Sequence, residues 1–201
     1  MNLENTASGM GTTGELEPFE GYTFRVVMLG EAGVGKTSLV KRYIEGAFEE
    51  EYKQTLNATH ATKNVEVAAS GGNRRPVRLV CCDMGGQDTY RELRRQYMKG
   101  ASAAIIVYDV TRPETFMATN NWYEAFREVC PDAAVFICAN RVDLVGKRVV
   151  PVEPGHMLRD WLQADYFETS AKTGSNVVGL FERVAATLLD RALAQQVCMK
   201  T

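Results

Sequence analysis

One stretch constrains the fold of this chain more than any other feature of its sequence: residues 30–38, which read GEAGVGKTS. They match the pattern G-x-x-x-x-G-K-S/T, follow an apolar run that ends at Leu29, and precede a segment with helical spacing. Glycines at these positions let the backbone wrap a phosphate chain, so that amide N–H groups and the positive end of the following helix point inward. The alternative is a glycine-rich turn that only caps a helix. The match and its context favour a phosphate-binding loop between a strand and a helix.

Short β-rich apolar runs alternate with helical patterns along the rest of the chain. Strands buried on both faces are predicted at residues 24–29, 77–82, 103–108, 135–139 and 166–169. Helices are predicted at about 36–45, 90–98, 115–129, 153–163 and 176–194. A weakly alternating segment, 61–69, meets the next strand through residues 70–73, whose Gly and Asn favour an antiparallel hairpin. The pattern predicts an α/β fold of the P-loop NTPase type: a mostly parallel six-stranded sheet with one antiparallel strand and helices on both faces.

The composition is that of one globular domain with tails. Of 201 residues, 45% are hydrophobic and 24% are charged, close to the averages of soluble domains. The first twenty residues contain no Lys or Arg and little that can pack. We therefore expect a flexible tail at 1–20, a folded domain at 21–192 and a second flexible tail at 193–201.

Charge and cysteine usage exclude several classes of protein. The net charge of -2 gives no positive field that would attract DNA or RNA, so no nucleic-acid partner is expected. No apolar run approaches the roughly 18 to 20 residues of a membrane span. The five cysteines are odd in number and form no C-x-x-C pair, which indicates reduced thiols in the cytoplasm rather than a disulfide framework or a zinc site.

The loop motif and a later strand end both carry residues that suit a bound phosphate chain. Lys36 would bridge the β- and γ-phosphates, and Thr37 would bind Mg²⁺. At the later strand end, Asp83 can hold a water bound to Mg²⁺, Gly86 can offer its N–H to a γ-phosphate and Gln87 can orient the attacking water. Polar residues are common where a strand meets a loop, so this second motif carries little weight alone.

Two further strand ends carry residues suited to a purine base. Asp143, after the strand at 135–139, can accept both N1–H and the exocyclic N–H₂ of guanine, a donor pair that adenine lacks. Asn140 would brace this pocket, and residues 169–172, Thr-Ser-Ala-Lys, would form a tight loop whose backbone N–H meets guanine O6. Each motif singly is compatible with a helix cap or a turn. Together, at the carboxyl ends of strands, where open α/β sheets bind ligands, they favour guanine over adenine.

These motifs resemble those of small GTPases in the Ras superfamily, and most closely its Rab branch. The branch resemblance depends on two segments, 86–101 and 108–116, which are similar to Rab segments in order and spacing. It implies that GTP or GDP binds with Mg²⁺, that GTP is hydrolysed slowly, and that two switch loops relax when the γ-phosphate is lost. By the same resemblance, Phe48 packs edge-on to the guanine, and Thr55 binds Mg²⁺ and the γ-phosphate.

The site that this resemblance implies has three parts. Catalysis is assigned to Gln87, Lys36 and Thr55. The metal is assigned to Thr37, Thr55 and, through a water, Asp83. The residues assigned to the nucleotide are Gly33, Val34, Gly35, Lys36, Thr37, Ser38, Phe48, Thr55, Gly86, Asn140, Arg141, Asp143, Ser170, Ala171 and Lys172.

The resemblance also implies partners and a location. Effectors, an exchange factor and a GTPase activator would bind around residues 50–62 and 84–98. We expect a cytoplasmic monomer that acts in vesicle or other intracellular transport, with at most peripheral contact to intracellular membranes. Cys198 stands fourth from the end, but Lys200 occupies a position that a prenylation signal fills with an aliphatic residue. Stable lipid anchoring is therefore not expected.

Several positions depart from the family pattern. Arg141 replaces the lysine of the guanine motif, which keeps a cation but changes its reach and planarity. Ala32 places a methyl group near the path of an activator's arginine, so assistance by a Ras-type activator is not expected. Residues 56–60 and Cys82 stand where Rabs have an Ile-Gly-x-Asp-Phe stretch and a tryptophan, which leaves Tyr97 as the one aromatic residue kept from the effector patch.

Two other functions stay open at this point. A lipid-free Rab-like subunit of a transport complex, such as intraflagellar transport, would bind nucleotide with little or no hydrolysis. The altered residues 56–60 and the missing C-terminal cysteine pair favour it. A P-loop kinase of nucleosides or other metabolites would explain the phosphate loop but not the guanine motifs. The retained Gln87, Thr55 and Asp83 favour the GTPase switch.

Overall fold

The computed structural model of the chain contains one sheet covered by helices on both faces. It describes residues 19–48, 59–69, 72–84 and 91–198, with the backbone alone for 91–94. The predicted tail at 1–20 therefore lies almost entirely outside the described residues. In the part of the chain that is described, no helix is both long enough and apolar enough to cross a bilayer.

The sheet is mixed, as the sequence pattern predicts. Its strands are β1 (Tyr22–Leu29), β2 (Thr59–Ala68), β3 (Arg74–Asp83), β4 (Ala103–Asp109), β5 (Ala134–Asn140) and β6 (Asp165–Thr169). They lie in the order β2-β3-β1-β4-β5-β6. Only β2 and β3 pair antiparallel, in a hairpin whose register runs from Thr59 opposite Asp83 to Ala68 opposite Arg74, and the other pairs are parallel. The predicted α/β fold is confirmed.

Six α-helices connect or follow the strands in the part of the chain that the structure describes. They are α1 (Lys36–Glu45), α2 (Arg91–Met98), α3 (Pro113–Met117), α4 (Thr119–Arg127), α5 (Val152–Leu162) and α6 (Val177–Cys198). A 3₁₀ turn at Val145–Lys147 precedes α5. Helix α6 continues beyond residue 193, where the sequence predicts a flexible tail, and the hydroxyl of Tyr22 donates to Gln196 Oε1 near its end (3.3 Å).

The helix predicted at 115–129 is two helices that meet at Ala118. The hydroxyl of Thr119 donates to the Phe116 carbonyl at 2.6 Å, inside the turn where the break occurs. Ser, Thr and Asn side chains compete in this way with the helical ladder of backbone hydrogen bonds. Apolar spacing alone continues through the segment, which is why it predicts one helix rather than two.

The core consists of two layers, one on each face of the sheet. Because successive strand residues point to opposite faces, alternate residues of β4 contribute to different layers. Ile105 and Val107 pack with α1 and α6, whereas Ile106 and Tyr108 pack with α4 and the residues around α2 and α5. This burial on both sides holds the carboxyl ends of the central strands in fixed positions, and the loops that follow them contain the candidate site.

Candidate functional site

The phosphate-loop motif leaves β1 through glycines in left-handed backbone conformations. Gly30, Gly33 and Gly35 have φ values of +129°, +75° and +101°. A Cβ atom on Gly35 would lie 2.3 Å from Nδ2 of Asn140, and one on Gly30 would lie 2.2 Å from the Val107 carbonyl oxygen. Both positions therefore require glycine for two reasons, the backbone angle and the close approach of a neighbouring strand end.

Helix α1 begins directly after this loop without a side-chain cap at Gly35. The first N–H groups of a helix have no partner within the helix, and together with the helix dipole they favour an anion. The ammonium of Lys36, which is almost fully buried, donates to the carbonyls of Gly30 (2.7 Å) and Glu31 (2.8 Å). The loop and the helix start thus place several donors around one concave turn.

Thr37 and Asp83 come together beside this turn. The Thr37 hydroxyl donates to Oδ2 of Asp83 at the end of β3. Burial raises the pKa of the Asp83 carboxyl, although the hydrogen bond from Thr37 and the charge of Lys36 oppose that shift. Oδ1 of Asp83 is buried and has no hydrogen-bond partner among the described residues. A hydroxyl and a buried carboxylate oxygen are the oxygen ligands that suit Mg²⁺, so these residues fit a magnesium site.

Asn140, at the end of β5, joins the phosphate loop to the loop after β6. Its amide donates to the Val34 carbonyl at 2.9 Å. Its carbonyl oxygen accepts from the backbone N–H of Ala171 and from the Thr169 hydroxyl, both at 3.2 Å. The side chain is 1% exposed. One buried amide therefore sets the distance between the two loops.

The carboxylate of Asp143 is held by the same loop after β6. Its Oδ1 accepts from the Ser170 hydroxyl at 2.5 Å, and Ser170 Oγ in turn accepts from the Thr173 N–H at 3.1 Å. Ser170 is fully buried, whereas Asp143 is half-buried. This arrangement orients Asp143 through one oxygen and leaves its carboxylate with acceptor capacity to spare.

A model of the Ras family matches residues 25–190. The chain belongs to the Ras family. As a Ras-family protein it is a small GTPase that binds guanine nucleotide and interacts with regulators or effectors. The match spans every strand end described above, from the phosphate loop after β1 to the loop after β6.

The structure also places two other predicted nucleotide-binding residues of this Ras-family protein, Arg141 and Phe48. The guanidinium of Arg141, whose backbone has a φ of +70°, donates to the Gly33 carbonyl at 2.7 Å and lies 3.3 Å from Oδ2 of the buried Asp109. Arg141 therefore binds the phosphate loop as well as flanking the base motif. Phe48 is half-buried against the core, and Cζ of Arg42 lies 5.9 Å from its ring centre.

Arg42 is a site residue of this Ras-family protein that sequence reasoning missed. From α1 it donates to the backbone carbonyls of Ala171 (2.8 Å) and Lys172 (2.5 Å), and its guanidinium faces Phe48. It thereby ties the loop after β6 to the helix that starts at the phosphate loop. In the sequence it is one more cation near the end of an amphipathic helix, and no local signal marks it.

Three predicted catalytic or switch residues lie outside the described residues: Thr55, Gly86 and Gln87. Most of the stretch at 50–62 and the start of the one at 84–98, both predicted to bind partners, also lie outside the described residues. Of the described residues, the structure brings the phosphate loop, Thr37, Asp83, Asn140, Asp143 and the 169–172 loop to one edge of the sheet.

Proposed function

We propose that this Ras-family protein is a Rab-like GTPase. It binds GTP with Mg²⁺, hydrolyses it slowly and recruits effectors in its GTP-bound form, in vesicle or other intracellular transport from the cytoplasm. One observation carries the proposal: buried Asn140 couples the phosphate loop, which can hold phosphates, to the loop that orients Asp143, which can select guanine. A chain that bound only phosphate would have no use for this connection.

At the phosphate end, the chain's own residues bind and orient. The loop amides and Lys36 would hold the β- and γ-phosphates, while Thr37 and a water on Asp83 would hold Mg²⁺. The ion would neutralise charge that develops on the phosphates. The hydrogen bonds from Lys36 to the carbonyls of Gly30 and Glu31 hold its ammonium beside the loop, where the phosphates would lie.

At the base end, Asp143 would accept two donors of guanine, and Ser170 keeps its carboxylate oriented. Adenine lacks that donor pair and would leave the buried acceptor unpaired. Phe48 and the stem of Arg141 would flank the ring. Arg141 contributes at both ends, since its guanidinium also holds Gly33.

The hydrolysis step is assigned to Gln87, with Thr55 and Gly86 as contacts of the γ-phosphate. The test is single-turnover hydrolysis of GTP bound to the purified protein with Mg²⁺. We expect about 10⁻⁴ to 10⁻² per second for the wild type, because positioning of water without an activator's arginine gives rates of this order. Gln87→Leu should hydrolyse GTP at least about tenfold more slowly. The control is Gln195→Leu, which changes an exposed glutamine on α6 and should match the wild type. Tight GTP binding with no hydrolysis by the wild type would contradict the proposal that the protein is an enzyme.

The metal role of Thr37 can be tested separately. Thr37→Asn removes the hydroxyl that contacts Asp83. GTP should need Mg²⁺ more than GDP does, because it carries a further phosphate whose charge the ion would neutralise. We therefore expect affinity for GTP to fall at least about tenfold more than affinity for GDP. Titration with both nucleotides measures this, and Thr187→Asn on α6 is the matched control; equal losses would remove Thr37 from the metal.

The Rab assignment within the family draws on residues 86–101 and 108–116, and a departure from it favours the second candidate. Cys82 is fully buried and accepts from Nε of Arg25 at 3.1 Å, where Rabs place an aromatic side chain for effectors. Arg25 also donates to the Tyr97 carbonyl at 2.7 Å. A lipid-free Rab-like subunit with a constitutive interface would not need that aromatic patch. Absence of hydrolysis in the single-turnover experiment would favour this candidate.

A further inference from the structure

Four consecutive residues of the phosphate loop, 31–34, each accept a hydrogen bond from a side chain of another element. The donors, in the same order, are Trp122, Arg112, Arg141 and Asn140, at 3.0, 3.0, 2.7 and 2.9 Å. Trp122 reaches the carboxylate of Glu31, and the other three reach backbone carbonyls. Two of these three, Arg141 and Asn140, belong to the guanine motif, whereas Arg112 lies in the Rab-like segment 108–116 and has no predicted role at the site.

Arg112 stands in the turn between β4 and α3. Its Nη1 donates to the Ala32 carbonyl at 3.0 Å, and its Nε donates to Oε1 of Glu114 at 2.8 Å. The side chain is 39% exposed, and Glu114 is 63% exposed. The hydrogen bond to Arg112 lowers the pKa of the Glu114 carboxyl, which keeps the pair ionised at neutral pH. Glu114 thus fixes the guanidinium of Arg112 through Nε, and Nη1 of the same guanidinium binds the Ala32 carbonyl of the phosphate loop.

The geometry of the peptide bond links the hydrogen bond from Arg112 to the direction of the next N–H group in the loop. The bond is planar and trans, so the C=O of one residue and the N–H of the next point in opposite directions. A donor that holds the Ala32 carbonyl from outside the loop therefore directs the Gly33 N–H inward. Arg141 on the Gly33 carbonyl and Asn140 on the Val34 carbonyl do the same for the N–H groups of Val34 and Gly35. Three successive amides are aimed by three side chains.

We propose that Arg112 is a positioning residue for the nucleotide's phosphates. By holding the Ala32 carbonyl, it orients the Gly33 amide toward the phosphate chain before the nucleotide arrives. This deepens the proposed function, because it assigns a new residue to the same site, but it depends only on guanine-nucleotide binding. Glycine at position 33, with φ of +75°, is flexible, and a flexible amide gains most from an external restraint.

The test compares Arg112→Met, which keeps the stem but removes the guanidinium, with Arg112→Lys, which keeps a cationic donor. The dissociation rate of fluorescent GDP with Mg²⁺ is measured for both. A charge-assisted hydrogen bond that is partly open to solvent predicts about fivefold faster release from Arg112→Met. Arg112→Lys should lie within about twofold of the wild type. Arg183→Met removes another exposed arginine, one that pairs with Asp165 on the opposite edge, and should not change the rate.

A second readout separates positioning from a general loss of stability. In the GDP-bound protein, the amide proton resonance of Gly33 reports its hydrogen bond. It should move upfield in Arg112→Met and recover in Arg112→Lys, with melting temperatures like that of Arg183→Met. GDP release at the wild-type rate from Arg112→Met, or a Gly33 resonance that does not move, would overturn the proposal. Neither measurement needs GTP hydrolysis. A wild type that fails to hydrolyse GTP would contradict the proposed enzymatic function, but the comparison of the Arg112 variants would still test the positioning role.

Discussion

Asp143→Asn should weaken GDP binding by at least about a thousandfold and shift preference toward xanthine nucleotides. The carboxylate accepts two guanine donors, whereas an asparagine amide offers one acceptor and places its N–H₂ against the other donor. A site built for a hydrogen-bond pattern rejects the wrong pattern by about 10⁴ to 10⁵, and some of that selectivity is lost here because Asp143 is only half-buried. Xanthine has an oxygen where guanine has its amino group, so the new N–H₂ gains a partner.

Competition of GDP and xanthosine diphosphate for the loaded protein measures this shift. The variant should stay folded, because the asparagine oxygen can still accept from the Ser170 hydroxyl. Asp165→Asn, at the start of β6 and paired with Arg183 on the surface, is the matched control and should keep guanine preference. An unchanged ratio of the two affinities in Asp143→Asn would remove Asp143 from base recognition.

Asn140→Ala should lower the free energy of unfolding by about 3 kcal/mol, because it leaves the Val34 carbonyl and the Ala171 N–H without their buried partner. Each buried polar group left unpaired costs about 1–3 kcal/mol. The same change frees the phosphate loop from the loop after β6. GDP should then dissociate at least about a hundredfold faster, since restraint is lost at both ends of the nucleotide at once.

Urea unfolding and GDP dissociation of the same preparation test the two halves of this expectation. Asn121→Ala provides the control, because Asn121 is exposed on α4 and alanine is the better helix former there. A loss of stability without faster GDP release would mean that Asn140 supports the fold alone. If Asn140→Ala unfolds at the same urea concentration as the wild type, the three hydrogen bonds of Asn140 do not contribute to stability either.

The fold was predictable from the sequence because most strands and helices are marked locally by apolar runs, helical spacing or turn residues. The seven residues of β4 are all buried, and their mostly apolar sequence is typical of a central strand. The glycines and asparagine between β2 and β3 indicate their hairpin. The positions of Lys36 and Asp143 were predictable because each motif follows a strand end, while their roles toward the nucleotide stay predictions. The break at Ala118 was not, since hydrophobic spacing persists through it and the hydroxyl that disrupts it looks like any helical threonine.

The missed contacts share a physical cause. Arg42, Arg112 and Trp122 reach partners 129, 80 and 91 residues away in the chain. Arg42 and Arg112 reach backbone carbonyls, which every residue carries and which leave no trace in a sequence. Polar side chains on helices and turns that serve a distant carbonyl have the same local pattern as those that face water. Only the packing of α1, α3 and α4 on the sheet distinguishes them.

The hairpin of β2 and β3 connects, along the chain, the two stretches that we propose to bind partners, 50–62 and 84–98. Thr59 is the first described residue after the stretch that contains Thr55, and Asp83 lies just before the stretch that contains Gly86 and Gln87. In the antiparallel register these two residues, Thr59 and Asp83, are direct partners. The described residues that border the two stretches therefore share one rung of one ladder. A substitution at this rung is expected to alter partner binding through both stretches together.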